Sequence, residues 1–225
     1  MRVLVFCPTR RLEPETVRAI HALEGESVDF LFTRDNPHHA AGEQAGDRFG
    51  QAGRQNILHN YRKGRRAALD GGYDAMLCVE SDIIPPPDAL QKLLAIPQAD
   101  LAFGAYMFRS GLPVLNICRW AMTPGCPDVS LYFHPGALQA AWGNVVRCTG
   151  LGLGCTLIHR RVLETIDFHP HPDNAHCDWQ LAEDALSAGF QLWADLSVLC
   201  GHKRPDGVIL WPTLRGWRET PGEVA

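Results

Sequence analysis

The sequence predicts an α/β fold built around one largely parallel sheet, and two observations support that class. Apolar runs of strand length alternate with helix-length stretches along the 225 residues, which is the pattern of parallel strands joined by helices. Hydrophobic residues make up 46% of the chain, enough for one well-packed core. We therefore expect one domain over residues 1–225.

The individual elements follow from the positions of these runs. The predicted strands are residues 2–7, 28–33, 73–79, 101–108, 155–158 and 191–200. The first predicted helix begins near Pro14, and three further helices cover residues 54–69, 88–95 and 179–188. Asp88 is expected to cap the third helix, and Gly189 closes the last. Residues 34–53 lack periodicity and predict a mobile loop, whereas residues 111–148 predict shorter, irregular β structure.

Charge and length exclude several classes of protein. The formal net charge of -4 argues against a nucleic-acid-binding protein. One predicted helix carries a basic cluster that faces either a phosphate or, as an ordinary helix surface, only solvent. The cluster consists of Arg54, Arg62, Lys63, Arg65 and Arg66. No stretch approaches the roughly 18 apolar residues of a membrane span, and residues 1–7 are too short for a secretion signal, so we expect a cytoplasmic protein.

The eight cysteines are spread along the chain. Most are expected to be reduced core residues, because they lie in or beside apolar runs; these are Cys7, Cys78, Cys118, Cys148, Cys155 and Cys200. A structural zinc site is the alternative. A loop rich in possible zinc ligands contains His169, His171, His176 and Cys177. It lacks a paired C-x-x-C unit, so we expect it to face a substrate instead.

Two acidic residues end the third predicted strand. Glu80 and Asp82 follow its apolar run, at the carboxyl edge where open α/β sheets bind ligands. Two carboxylates there repel each other unless a cation lies beside them, and Mg²⁺ or Mn²⁺ held by carboxylates neutralises a diphosphate. The alternative is a capping turn, in which Ser81 and Asp82 accept backbone hydrogen bonds before three prolines.

The segment YDAMLCVESDIIPPPDALQKLL resembles the part of GT-A glycosyltransferases, in particular the family 2-like enzymes, that carries the DxD metal motif. The resemblance implies a Rossmann-like, mostly parallel sheet with a small antiparallel extension. Residues 1–109 would then form the nucleotide-binding half and residues 110–225 the acceptor half. It also implies that Asp82 binds Mn²⁺ or Mg²⁺ directly. Glu80 replaces the family's first Asp, so we expect it to act at the metal through water or at the donor ribose.

A second segment, CDWQLAEDALSAGFQLWADLSVLCGH, is similar to the family block in which an acid opens a helix and a His follows the next strand. By this resemblance His202 is a metal ligand. Asp178 is then the base that deprotonates the acceptor in an inverting enzyme, or an acceptor-binding group in a retaining one. Glu183 and Asp184 lie mid-helix at the wrong spacing and are expected to face solvent. Asp178 is alternatively a simple helix cap, and the helix N-terminus is expected to keep it ionised.

The remaining site residues come partly from the same resemblance and partly from the residue types themselves. Gly152, in the run TGLGLGCTLI, stands where the family brings backbone close to the donor sugar, which a glycine allows. Trp179 is expected to contact the acceptor. The resemblance implies contacts with the base and ribose of the donor at Thr9 and Asp35. Arg54 and Lys63 lie on the following predicted helix, where a cationic side chain can meet the diphosphate.

The sequence therefore predicts a metal-dependent glycosyltransferase that moves a sugar from a UDP- or GDP-type donor to an unidentified acceptor. One alternative is a sugar-nucleotide nucleotidyltransferase, which the early motif PTRRLEP favours. The lack of a glycine-rich loop for a triphosphate argues against it. The other alternative is a non-catalytic module that binds a nucleotide sugar, and the joint presence of Glu80, Asp82 and His202 argues against that.

Overall fold

A computed structural model of the chain describes residues 1–9, 11–25, 27–38, 51–108, 115–117, 135–150, 152–170 and 177–222. In these ranges a seven-stranded central sheet is flanked by helices and accompanied by a four-stranded antiparallel sheet. The predicted α/β class with a small antiparallel extension is confirmed. The architecture is consistent with a GT-A-like fold.

Within the described ranges, the regular elements are eleven strands and six helices. The strands are β1 (Val3–Pro8), β2 (Val28–Thr33), β3 (Ala75–Val79), β4 (Ile83–Ile84), β5 (Leu101–Ala105), β6 (Val145–Cys148), β7 (Cys155–His159), β8 (Leu192–Leu199), β9 (Gly201–Lys203), β10 (Val208–Thr213) and β11 (Gly216–Pro221). The helices are α1 (Pro14–His21), α2 (Gln51–Asp70), α3 (Ala89–Leu94), α4 (Pro135–Ala141), α5 (Arg160–Thr165) and α6 (Cys177–Ser187).

The central sheet has the strand order β2-β1-β3-β7-β5-β8-β6. β1 is parallel to both β2 and β3, and β5 is parallel to β8. β7 is antiparallel to β3 and β5, and β6 is antiparallel to β8. Five of the seven strands therefore run in one direction, and only β7 and β6 run the opposite way. The carboxyl ends of β1, β3, β5 and β8 meet at one edge, which is where open α/β sheets bind ligands.

The small sheet has the order β11-β10-β9-β4, with every pairing antiparallel. β4 begins shortly after β3 ends, and β9 directly follows β8. The small sheet thus continues two strands of the central sheet beyond its edge. The pairing of Ile83 with His202 brings these two continuations together.

The apolar core lies on both faces of the central sheet. Along β1, Val3 and Val5 face a cluster that includes residues of α1 and α3, whereas Leu4 and Phe6 face one that includes residues of α2 and α6. Successive strand residues point to opposite faces, so a strand covered on both is apolar throughout. All residues of β3 and β5 are buried, which is why these strands are continuous apolar runs in the sequence.

Several predicted elements need correction. The stretch 111–148, expected as irregular β structure, contains the helix α4 in its described part, and α5 is a helix absent from the predictions. Both are too short for helical periodicity to show clearly. Asp88 makes no capping hydrogen bond, and its carboxylate pairs with Lys92 at 2.8 Å. Because α2 begins at Gln51, the end of the predicted loop is helical; residues 39–50 lie outside the described ranges.

Other predictions are confirmed. Gly189 ends α6 with a φ of 86°, a conformation that glycine adopts readily. The cysteines expected in the core are buried there, except Cys118, which lies outside the described residues. No helix in the described ranges is long and apolar enough to cross a membrane.

Candidate functional site

The candidate site lies at the edge of the central sheet where its parallel strands end. Thr9 follows β1, Glu80 follows β3, Tyr106 follows β5, and His202 lies in β9 just after β8. The N–H of Glu80 donates to the carbonyl oxygen of Gly154 at 3.0 Å. That bond joins the acidic strand end to the glycine-containing segment before β7.

Asp82 and His202 are brought together by the small sheet. Ile83, the residue after Asp82, pairs with His202, and the N–H of Lys203 donates to the carbonyl oxygen of Asp82 at 2.7 Å. The two side chains then lie close, with His202 Nε2 3.8 Å from Asp82 Oδ1. Their side chains are only 8% and 17% exposed, so neither is an ordinary solvated surface group.

The orientation of His202 is set by its other ring nitrogen. His202 Nδ1 lies 2.6 Å from the carbonyl oxygen of Met107. Because a carbonyl oxygen only accepts hydrogen bonds, Nδ1 carries the proton, and in the neutral ring Nε2 holds its lone pair on the Asp82 side. Histidines that bind metals are commonly oriented by such a carbonyl behind the ring.

Asp82 and His202 lie within the largest separation that two ligands of one divalent cation can have. Two atoms that bind one Mg²⁺ at about 2.1 Å lie at most about 4.2 Å apart, and Nε2 and Oδ1 meet that limit. Among the described residues, no three His, Cys, Asp or Glu side chains form a group that could hold a metal ion. The structure therefore brings Asp82 and His202 together but does not place Glu80 with them as a third ligand.

Glu80 is held by helix α2. The N–H of Ile83 donates to the carbonyl oxygen of Glu80 at 2.9 Å, which closes a β-turn. Oε1 of Glu80 accepts a hydrogen bond from the hydroxyl of Tyr61 at 2.9 Å. Tyr61 is 1% exposed and stacks on Phe168 with 5.2 Å between ring centroids. The Tyr61 hydroxyl therefore holds Glu80, whereas Asp82 lies against His202, although only one residue separates the two acids.

Asp178 lies inside the first turn of α6, and its Oδ1 accepts the N–H of Trp179 at 2.9 Å. Burial raises the pKa of Asp178 from 3.8 to about 7, and the negative charge of Glu80 adds to that rise. The sequence predicts that the helix N-terminus keeps this group ionised. The structure corrects that expectation, because lost solvation and the charge of Glu80 outweigh the backbone hydrogen bonds. Contact of Trp179 with an acceptor stays a prediction.

Tyr106 is a site residue that the sequence pattern hides inside the predicted strand 101–108. β5 ends at Ala105, so Tyr106 is the first residue beyond it. Its ring packs edge-on against His202 with 5.3 Å between centroids. Burial raises its pKa, as do the charges of Glu80, Asp178 and Asp82. Its place at the carboxyl end of a parallel strand is the signal that points to it.

The glycines before β7 pack around Tyr106. The N–H of Gly154 donates to the Tyr106 hydroxyl oxygen at 3.3 Å. A Cβ added to Gly152 would lie 2.2 Å from that hydroxyl oxygen, and one added to Gly154 would lie 2.7 Å from the ring. The packing of the tyrosine therefore requires glycine at both positions. Contact of Gly152 with a donor sugar stays a prediction.

On the predicted donor side, Asp35 is held against α2. Its Oδ2 lies 3.0 Å from His59 Nε2 and 3.3 Å from Lys63 Nζ. These two partners, His59 first, lower the pKa of the carboxyl. Asn60 Nδ2 donates to the carbonyl oxygen of Asp35 at 2.7 Å, which fixes the backbone as well. The structure thus brings together Asp35 and Lys63, two of the predicted donor residues.

The other two donor residues lie at different places along this edge. Thr9 is 4% exposed, and its hydroxyl donates to the carbonyl oxygen of Arg11. Arg54 lies in the first turn of α2. The hydroxyl of Thr9 is therefore engaged by its own chain, and donor contacts at both residues stay predictions.

Part of the basic cluster on α2 has a structural role. Arg62 Nε donates to the carbonyl oxygen of Phe168 at 2.7 Å. Arg65 Nε donates to the carbonyl oxygens of Leu163 and Ile166 at 2.7 and 2.9 Å. These two guanidinium groups bind backbone carbonyl oxygens at the end of α5 and just after it. Arg62 and Arg65 therefore stabilise the fold at this place.

The mid-helix acid Asp184 is also engaged. Its Oδ2 lies 2.7 Å from His169 Nε2, and its Oδ1 accepts from Gln180 Nε2 at 2.8 Å. This corrects the expectation of a merely solvated side chain. His171 and His176, which belong to the alternative zinc loop, lie outside the described residues.

Comparisons with known proteins show a shared fold. No family model matches the chain, and no curated protein matches its sequence. The crystal structure of A197 from STIV has a TM-score of 0.66 at 16% identity, over 100% of this chain and 96% of that one. A glycosyltransferase involved in the glycosylation of the major capsid of PBCV-1 has a TM-score of 0.36 at 9% identity, over 73% of this chain and 63% of that one. The first likeness shows the fold alone, and the second is too weak to carry an argument.

Proposed function

We propose that this protein is a metal-dependent glycosyltransferase that moves a sugar from a UDP- or GDP-type donor to an acceptor hydroxyl. The observation that supports this most is the presence of two features at one sheet edge. Asp82 and His202 lie 3.8 Å apart as a pair suited to a cation, and Asp178 has a pKa of about 7. A transferase of this kind needs charge neutralisation on the leaving diphosphate and a group that accepts the acceptor's proton.

Asp82 and His202 are the residues that would hold Mn²⁺ or Mg²⁺, and their mixed oxygen and nitrogen set suits Mn²⁺ somewhat better. When bound, the cation neutralises the donor diphosphate and the charge that develops on it as it leaves. The carbonyl of Met107 keeps Nε2 of His202 turned towards that position. Burial of both side chains limits competition from bulk water.

Asp178 accepts the proton of the acceptor hydroxyl in an inverting reaction. A carboxylate with an ordinary pKa of 3.8 is a weak base at neutral pH, whereas a pKa of about 7 brings its proton affinity close to the working pH. The acceptor oxygen bonds to the anomeric carbon while the bond from that carbon to the diphosphate oxygen breaks. The proton remains on Asp178.

The donor would lie along the ends of β1 and β2 and the part of α2 from Arg54 to Lys63. Asp35 offers its carboxylate to the ribose or the base, and Lys63 lies 3.3 Å from it to meet the diphosphate. Thr9 and Arg54 flank this region, and Gly152 and Trp179 are assigned to the sugar and the acceptor.

A thermal-shift screen of UDP-, GDP-, dTDP- and CMP-sugars, with and without Mn²⁺, tests this function. A ligand that binds only the folded protein raises the melting temperature, so we expect one donor class to do so, and only with Mn²⁺. Release of the free nucleotide should then stop when excess chelator is added. Equal release in chelator would contradict the metal role, and binding without any release would favour a non-catalytic module.

A further inference from the structure

We infer that Tyr61 is a positioning residue that holds Glu80 on the Asp178 side of the site, outside the pair formed by Asp82 and His202. On this inference Glu80 assists the acceptor and is not a metal ligand. The inference rests on the proposed function and departs from the DxD pattern, in which the first acid serves the donor or the metal.

The position of the Tyr61 hydroxyl is fixed by packing. The ring stacks on Phe168 at 5.2 Å, with 24° between the ring planes, and meets Phe6 edge-on at 6.1 Å. A fully enclosed side chain of this size keeps one orientation, because protein interiors are close-packed. The 2.9 Å hydrogen bond to Oε1 of Glu80 is therefore imposed by α2 and the core.

The backbone separates the two acids. In a regular strand, residues i and i+2 point to the same face. The turn closed by the N–H of Ile83 and the carbonyl of Glu80 interrupts the strand between Glu80 and Asp82. After the turn, the pairing of Ile83 with His202 carries Asp82 to the imidazole. The same turn leaves Glu80 at the end of β3, where Tyr61 reaches it.

Glu80 lies within electrostatic reach of Asp178, whose pKa its charge raises. In that place the Glu80 carboxylate can accept a hydrogen bond from a second hydroxyl of the acceptor. When water is the acceptor, it can accept the hydrogen that Asp178 does not take. Either contact orients the attacking oxygen. The favoured acceptor then carries two neighbouring hydroxyl groups, as a sugar does.

Two substitutions test the inference, with a matched control. Tyr61→Phe removes only the hydroxyl that holds Glu80. Glu80→Asp keeps the charge and recreates the two-aspartate pattern, but it draws the carboxylate back from the phenol by one methylene. Tyr73→Phe is the control, because the Tyr73 hydroxyl also donates to a carboxylate, Oδ2 of Asp29, at 2.9 Å, but before the start of β3.

The measurements are Mn²⁺ binding by electron paramagnetic resonance and hydrolysis of UDP-glucose and GDP-mannose. We expect Tyr61→Phe and Glu80→Asp each to lower kcat roughly tenfold, less than the loss of a general base itself. The KM for the donor and the dissociation constant for Mn²⁺ should stay within about twofold of wild type. A general loosening of the site would weaken Mn²⁺ binding and lower kcat together. A lower kcat with unchanged Mn²⁺ binding therefore indicates that Tyr61 positions Glu80 and does not only stabilise the fold.

Two results would overturn the inference alone: an unchanged kcat in Tyr61→Phe, or Mn²⁺ binding at least about tenfold weaker in either variant, the size expected for a lost ligand-shell contact. A wild-type protein that binds neither Mn²⁺ nor either nucleotide sugar would overturn the proposed function and this inference with it. Tyr73→Phe should match wild type in every measurement, and if it lost kcat as Tyr61→Phe does, the effect would not belong to Glu80.

Discussion

His202 Nδ1 donates a hydrogen bond to the carbonyl oxygen of Met107 at 2.6 Å, and this contact decides which ring nitrogen faces Asp82. Met107 follows β5 by two residues, whereas His202 lies in β9. The imidazole is therefore oriented by a backbone group far away in the sequence. A histidine held in this way is prepared to bind a cation through Nε2 without first changing tautomer.

The first prediction concerns this histidine. His202→Gln should weaken Mn²⁺ binding by about ten- to a hundredfold. The Gln side-chain amide lacks the Nε2 lone pair of the imidazole, which the Met107 carbonyl orients through Nδ1. Mn²⁺ titration followed by electron paramagnetic resonance measures the change. His159→Gln is the control, since His159 is a half-buried histidine at the far end of β7. Equal affinities in the two variants would exclude His202 as a ligand.

The second prediction concerns Asp178, the proposed general base. Asp178→Asn should lower the rate of transfer by at least about a hundredfold, the size expected for loss of a general base, while donor binding stays nearly unchanged. Asp184→Asn, on the same helix, is the control and should change the rate little. The Asp184 carboxylate contacts His169 and Gln180, and no role in catalysis is assigned to it.

The pH dependence of kcat checks the same assignment. In the wild type, kcat should fall below about pH 7 as Asp178 becomes protonated. Asp178→Asn should lack that limb. If Asp184→Asn lost the larger part of the rate instead, the base would have to be sought near Asp184.

The third prediction concerns stability. The folded-state pKa of Asp178 is raised from 3.8 to about 7, so between these values the folded protein binds more protons than the unfolded chain. Stability contributed by this group is therefore fully present below about pH 4 and is lost as the pH rises through 7. Asp178→Asn should be more stable than wild type at pH 8, by roughly 2 kcal/mol once partial exposure is allowed for.

Urea unfolding at pH 4 and pH 8 measures this difference. The gain of Asp178→Asn over wild type should be near zero at pH 4 and largest at pH 8. A gain in stability of equal size at both pH values would mean that burial and the charge of Glu80 do not raise the pKa of Asp178.

The fourth prediction concerns the fit of Gly152 against Tyr106. Gly152→Ala should destabilise the protein by about 1–3 kcal/mol, because the added methyl would overlap the Tyr106 hydroxyl oxygen at 2.2 Å. Tyr106→Phe in the same chain should recover part of that loss by removing the hydroxyl. Chemical denaturation of the single and double variants measures the coupling, and purely additive losses would mean that the two residues do not collide.

Much of the fold could be predicted because the central strands are buried on both faces. β3 and β5 are apolar at every position for that reason, and such runs are visible without any knowledge of their neighbours. α4 and α5 were not predictable in the same way, since helices of six or seven residues are shorter than the window in which periodicity appears.

The candidate site was predictable in part. Spacing and resemblance point to Asp82, Asp178 and His202, and the small sheet joins Asp82 to His202. The sequence does not single out Tyr106, because the predicted strand extends past Ala105, where β5 ends. The partner of Glu80 was also not predictable, because Tyr61 reaches it from a helix that precedes it in the chain.

The sequence by itself determined the α/β class, the positions of the main strands and the acids that end them. These properties depend on neighbouring residues along the chain, through burial, strand alternation and helix periodicity. Only the tertiary structure decided which acid meets His202, which meets Tyr61, and that the pKa of Asp178 rises to about 7. Those outcomes depend on distances between segments far apart in the sequence and on the removal of water, and both arise only when the chain packs.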